Sequence, residues 1–294
     1  MPIRMPAAWG FEQISHATQA RPTAAPDQYW PNAGTISHVS VRRIGVSDLR
    51  YALRRGFEDF GALRTDVAFL CIFYPVIGLM LARAVVGTGF LPLLFPLASG
   101  FALVGPVAAI GLNEMSRRRE LGMEVGWTSV FEVFRSPALG RILMLAAGMM
   151  ILFLAWLTAA QIIYAQTLGT TYAQPYGDAQ PPDFDQFMRD VFTTGAGWAM
   201  MLTGCGVGFL FAVTAFAISV VSFPMLLDLN VSLETAVGTS LRAVSANPVT
   251  MGVWGLMIAV ALVVASIPAL LGLVIVLPVL GHATWHLYRR VVQV

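Results

Sequence analysis

Six apolar runs, at 67–86, 90–112, 139–165, 202–227, 249–266 and 268–287, constrain this chain more than any other feature of it. A helix crosses a hydrocarbon core of about 30 Å with about 20 apolar residues, and each run is close to that length or longer. No alternation of the barrel type accompanies them, so helices are the only spanning form expected. The expected fold is an all-α polytopic membrane protein with six transmembrane helices. Charge content agrees: 12% of the 294 residues are charged, against about 25% in a soluble domain. That excludes a disordered chain and argues against an ordinary soluble enzyme. The net charge of +2 implies no nucleic-acid partner.

Arginine placement orients the bundle. Every basic residue is Arg, and 16 of the 18 fall on one side of the expected spans, from Arg4 and Arg21 in the tail through Arg42, Arg43, Arg117, Arg118 and Arg119 to Arg289 and Arg290. The other side receives Arg83 and Arg189. The positive-inside rule then puts both termini in the cytoplasm. Segment 166–201 becomes a periplasmic loop, with Asp178, Asp183, Asp185 and Asp190 against a single Arg. Residues 1–46 are polar and punctuated by proline, and read as a flexible cytoplasmic tail. Residues 47–294 form the six-span membrane domain. The first residues contain no continuous apolar core, so the first span is expected to act as an uncleaved signal anchor.

Three segments ahead of spans one, three and five are amphipathic. Leu49, Leu53, Phe57 and Phe60 place one apolar stripe on a helix over 47–60. Trp127, Phe131 and Phe134 repeat at four and three residues, and Leu233, Val237, Leu241 and Val244 at four, four and three. Aligning Gly61, Pro137 and Pro248 as breakers brings TSVFEVFRSP (128–137) over TSLRAVSANP (239–248). We read three repeats of an interfacial amphipathic helix followed by a transmembrane hairpin, with basic groups toward anionic headgroups. Convergent amphipathicity at a membrane surface is the plainer account of the same pattern.

Polar chemistry at membrane depth is sparse. No acid falls inside an expected span; Glu114 and Asp228 sit at cytoplasmic ends. Glu114, Arg117, Arg118 and Arg119, with Glu120, form a charged collar after span two, read as partner or headgroup contact. His282 and His286 lie four apart on one face of span six, a spacing that can chelate a metal. With Arg289 and Arg290 following at once and no third ligand in sight, interfacial hydrogen bonding is the better account. No catalytic residues, cofactor or metal are expected. Cys71 and Cys205 fall in opposite leaflets and are expected as free thiols. There is no P-loop, HExxH, GxSxG or dinucleotide fingerprint.

The stretches LRRGFEDF (53–60), GLNEMSRRRELG (111–122), ISVVSFPMLLD (218–228), TSLRAVSANP (239–248) and VLPVLGHATWHLYRR (276–290) resemble the bacterial membrane proteins of domain-of-unknown-function family 2189. The likeness runs from about residue 40 onward, with Asn113 where the family pattern has Tyr. It implies a six-span bacterial inner-membrane protein with no assigned activity; some members carry a cytochrome c oxidase subunit label. The residues do not fit a catalytic oxidase, whose haem–copper core needs about six His ligands, whereas this chain has four His, two of them in the tail. The expectation is a non-enzymatic protein in the lipid bilayer, an accessory subunit or assembly factor of a larger membrane complex. The alternative is a small-solute or lipid transporter built from the repeats.

Overall fold

The computed structural model describes residues 39–85, 91–172 and 183–294. The expected tail up to residue 38, the first outer turn at 86–90 and the centre of the acidic loop at 173–182 lie outside the described residues. In chain order the elements are β1 (Ser40–Val41), α1 (Val46–Cys71), α2 (Phe73–Val85), α3 (Leu94–Ala108), α4 (Ile110–Glu120), α5 (Leu139–Gln166), α6 (Gly169–Tyr172), α7 (Phe184–Thr193), α8 (Gly195–Ser219), α9 (Ser222–Asp228), α10 (Leu233–Ala246), α11 (Pro248–Ser266), α12 (Leu273–Val291) and β2 (Val292–Gln293).

Helix starts follow from local chemistry. The hydroxyls of Thr194 and Ser232 and the carboxylate of Asp183 accept the free backbone N–H groups at the heads of α8, α10 and α7, the ordinary role of an N-cap. Pro248 opens α11, where a missing N–H costs nothing.

Among the described residues, four helical stretches are long and apolar enough to cross a membrane: Leu94–Glu120, Leu139–Gln166, Gly195–Asp228 and Pro248–Ser266. They coincide with the expected second to fifth spans. Their outer faces are bare and apolar, with Leu143 and Ile151 on α5, Phe209 and Leu210 on α8, and Leu256 and Val263 on α11 all exposed. A water-soluble surface rarely carries such continuous apolar area; in lipid it is the natural facing. The expected first and sixth spans are not among these four. Apolar sequence around residue 72 is divided between α1 and the 13-residue α2, and α12 combines an apolar first half with a second half rich in His, Trp, Tyr and Arg.

The three amphipathic segments differ in form. The first is not a separate helix, because α1 runs straight through Gly61, the expected breaker. The second is a 3-10 helix, Trp127–Arg135, in which residues three apart eclipse. Phe131 and Phe134 accordingly stack, with ring centroids 6.4 Å apart. Only the third is an α-helix ended before a proline, α10 followed by α11.

α1 packs lengthwise and antiparallel against α12, and the β1–β2 pair closes their shared end. The buried seam of α1 is Leu49, Ala52, Gly56, Asp59 and Leu63, spaced three, four, three and four as in a helix pair with small crossing angle. The expected stripe was rotated from this: Leu49 is shared, but Phe57 is 57% exposed. Close approach decides the matter. A Cβ on Gly56 would stand 2.7 Å from the Val279 carbonyl oxygen and 2.8 Å from Ala283 Cβ, so the backbones meet where the side chains are smallest. Residues 285–288 of α12 are buried on successive faces, with Trp285, Leu287, Tyr288 and Val291 in the core.

Candidate functional site

At the arginine-rich end, α1, α4 and α12 enclose a polar cluster built on one carboxylate. Asp59 Oδ2 accepts the Ser116 hydroxyl at 2.6 Å and stands 2.8 Å from His286 Nε2. Its other oxygen accepts from the Arg119 guanidinium. Ser116 Oγ also lies 2.8 Å from His282 Nδ1. Helix geometry explains why Asp59 and His286 meet. Side chains lean toward the N-terminus of their own helix, so in an antiparallel pair the two residues lean toward each other.

The hydrogens can be placed by valence. Ser116 has one hydrogen and gives it to Asp59, so its oxygen accepts from His282, which makes Nδ1 of His282 a donor. His286 donates from Nε2 to the carboxylate. Each bond then has one donor, and the chain reads His282 to Ser116 to Asp59, with His286 arriving from the other side. His282 Nε2 is left with no hydrogen-bond partner among the described residues, on a side chain with no exposed surface.

Two further carboxylate knots flank this one. Asp228, at the end of α9, accepts from Tyr288 at 2.8 Å and Arg289 at 3.1 Å, with Arg117 at 3.6 Å. Glu120 accepts from Trp285 at 2.9 Å and Arg289 at 3.1 Å. Within α4, Glu114 pairs with Arg118 at 3.0 Å and Arg117 at 3.6 Å, and Arg118 reaches Glu132 at 3.6 Å. A third knot holds the chain ends: Asp48 takes Arg42 and Arg290 at 2.8 Å each, and Arg290 lies 4.9 Å above the Tyr51 ring. The Asn247 side chain bonds Ile44 N–H at 2.7 Å and the Arg42 carbonyl at 3.1 Å.

All six residues expected at a partner or headgroup surface therefore fall in one layer, but largely inside it. Glu114, Arg117, His282 and His286 are buried. Arg118 is mostly covered, and Arg119 keeps 39% of its side chain exposed. Residues 114, 117, 118 and 119 spread over about half of the circumference of a helix, so once α4 is enclosed by α9, α12 and the 3-10 helix its collar turns inward. Sequence reading placed Glu120 in the collar and Asp228 at a span end, but missed Asp59, Ser116, Trp285 and Tyr288. The signal for Asp59 was its place on the 3-4 seam with Ala52 and Gly56. Cys71 is buried and Cys205 exposed, both as free thiols. Among the described residues no three His, Cys, Asp or Glu are placed to hold a metal ion.

Burial raises the pKa of Asp59, but the hydrogen bonds from His286 and Ser116 outweigh it and leave the group below its ordinary value of 3.8. Asp48 is also lowered: burial opposes, while the Gly45 N–H, Arg290 and Arg42 prevail. A carboxylate with a depressed folded pKa stabilises the fold above its unfolded pKa, and that contribution is lost as pH falls through the folded value. Thermal stability should therefore fall as pH drops from 5 through the carboxylate range of about 4 and below. The Asp48→Asn variant should show a shallower acid limb; parallel curves would contradict the assignment.

No curated protein and no solved structure matches the chain. What does match is a family: residues 94–228, which bring Ser116, Arg117, Arg119 and Asp228 to the polar layer, are similar to the family described as "Predicted integral membrane protein (DUF2189)".

Proposed function

We propose that this integral membrane protein is a non-enzymatic interaction protein, an accessory subunit or assembly factor of a larger complex in a bacterial inner membrane. One observation carries the reading: the acids and bases of the polar layer are directed at one another, whereas the apolar faces of α5, α8 and α11 are bare. An active site aims such groups at a substrate position. A protein whose charges lock its own helices, and whose open surface is apolar and helical, is suited to bind other membrane helices by shape.

Photo-crosslinking side chains at Ile151, Leu210 and Val263, one on each bare face, test this in native membranes. A discrete protein adduct of fixed stoichiometry at one face is expected. Lipid adducts alone at all three faces would overturn the reading, and solute or lipid flux through the purified protein in vesicles would replace it with transport.

The arrangement that goes with this reading has six spans, α2 and α12 included, and both ends in the cytoplasm. Reporter fusions after residues 120, 235 and 294 should then report cytoplasm, and a fusion after residue 180 should report periplasm. A cytoplasmic residue 180 would refute it.

A further inference from the structure

We propose that Asp59, Ser116, His282 and His286 form a proton-binding site, filled at the vacant Nε2 of His282, whose empty state locks α1, α4 and α12 together. This stands apart from the partner reading, and its test does not involve a partner.

Nε2 of His282 has no hydrogen-bond partner among the described residues, on a side chain with no exposed surface, and a buried polar atom left so calls for a reason. A second observation gives that atom a role. His282 is the free end of a continuous chain whose links measure 2.8 Å to Ser116 and 2.6 Å on to Asp59. A proton taken up at Nε2 frees the Nδ1 hydrogen to move to Ser116 Oγ, while the Ser116 hydrogen moves to Asp59 Oδ2. One proton enters, one carboxylate becomes a carboxylic acid, and serine and histidine end neutral. Every bond in the chain survives with its direction reversed.

What changes is charge. Asp59 faces the guanidinium of Arg119. When the site is empty the pair balances. When it is filled, the chain facing Arg119 has gained one positive charge, wherever along the coupled groups the proton rests. Arg119, already partly exposed, then faces a site without net negative charge, and the ionic part of the tie between α4 and α1 is lost while the Ser116–Asp59 hydrogen bond remains.

The neighbouring charges leave this balance in place. On α1, Glu58 is taken up by Arg54 and Arg55. On α4, Glu114 pairs with Arg117 and Arg118, and Glu120 accepts from Arg289 and Trp285 of α12. Asp228 of α9 takes Tyr288, Arg289 and Arg117, and Glu132 of the 3-10 helix takes Arg118 and Arg135. Each of these carboxylates already has at least one cation within pairing distance, so Asp59 is the acid that answers to the histidines.

The test uses the full-length protein with 15N-labelled histidine in lipid nanodiscs. At pH 7.5 the 15N shifts of His282 should report a neutral ring protonated at Nδ1, the reverse of the preference of histidine in water. Lowering the pH to 3.5 should remove that signal and speed amide exchange around Arg119, at the end of α4 tied to Asp59, by about tenfold as the local lock opens. His282→Asn keeps a donor toward Ser116 but takes up no proton, and it should lose the acceleration. An Nε2-protonated His282 at pH 7.5, or acceleration that persists in His282→Asn, would overturn the proposal. The wild-type tautomer decides the matter by itself if the variant does not fold.

Discussion

Replacing Asp59 with alanine is expected to destabilise the protein by about 3 kcal/mol, since removing one partner of a buried charge pair costs about 3–5 kcal/mol and Arg119 recovers some solvation through its exposed portion. The loss has two parts. Arg119 keeps its charge without its counter-ion, and the hydroxyl of Ser116 and the Nε2–H of His286 lose their acceptor in a buried place. Orphaned donors there cost about 1–3 kcal/mol each before relaxation. Asp59→Asn retains one oxygen for Ser116 or His286 and should lose less. In the double variant Asp59→Ala/Arg119→Ala the two losses should not add, because the second removes the charge that the first left stranded; a coupling of about 0.5–3 kcal/mol is the expected range for residues in one network. Denaturant or thermal titration of the four proteins in one detergent measures it. Strict additivity would mean that Arg119 is not held by Asp59.

Much of the architecture was legible because it rests on length and hydrophobicity alone. The stretches 94–120, 139–166, 195–228 and 248–266 are each apolar over a bilayer thickness, and nothing local competes with helix there. The polar layer was harder to read, for a reason visible in α1. Sequence reading looked for large apolar side chains at helical spacing and found Leu53, Phe57 and Phe60, but α12 packs on Ala52 and Gly56, and Asp59 lies on the same seam. In membrane proteins small residues mark the contact, and a carboxylate in line with them is brought inside. His282 and His286 were recognisable as a pair, yet their partners Asp59 and Ser116 are more than 160 residues away. No local pattern announces such a meeting. The 3-10 form of Trp127–Arg135 was equally hidden, since Trp127, Phe131 and Phe134 fit an α-helical stripe as well as the ring stacking of the tighter helix.

Two glycines five residues apart in α1 give the sharpest test of that seam, because their alanine variants are expected to move stability in opposite directions. Intrinsic helix propensity favours alanine over glycine by about 1 kcal/mol at both positions. At Gly61 a new Cβ meets nothing within 4 Å, so Gly61→Ala should keep most of that gain and leave the fold intact. At Gly56 the new atom would come within 2.8 Å of the backbone of Val279 and Ala283. Those contacts are main chain of a fully packed helix and cannot turn aside as a flexible side chain would. Overpacking of this kind costs about 1–3 kcal/mol for a methylene, which exceeds the propensity gain, so Gly56→Ala should be net destabilised. Gly56→Leu should lose considerably more, because the helices must then separate along the length that places Asp59 against Ser116 and His286. The midpoints of thermal unfolding for the three variants in one detergent decide it. If Gly56→Ala were as stable as Gly61→Ala, α1 and α12 would not be in backbone contact at this point, and the polar cluster beyond it would lose the geometry that assembles it.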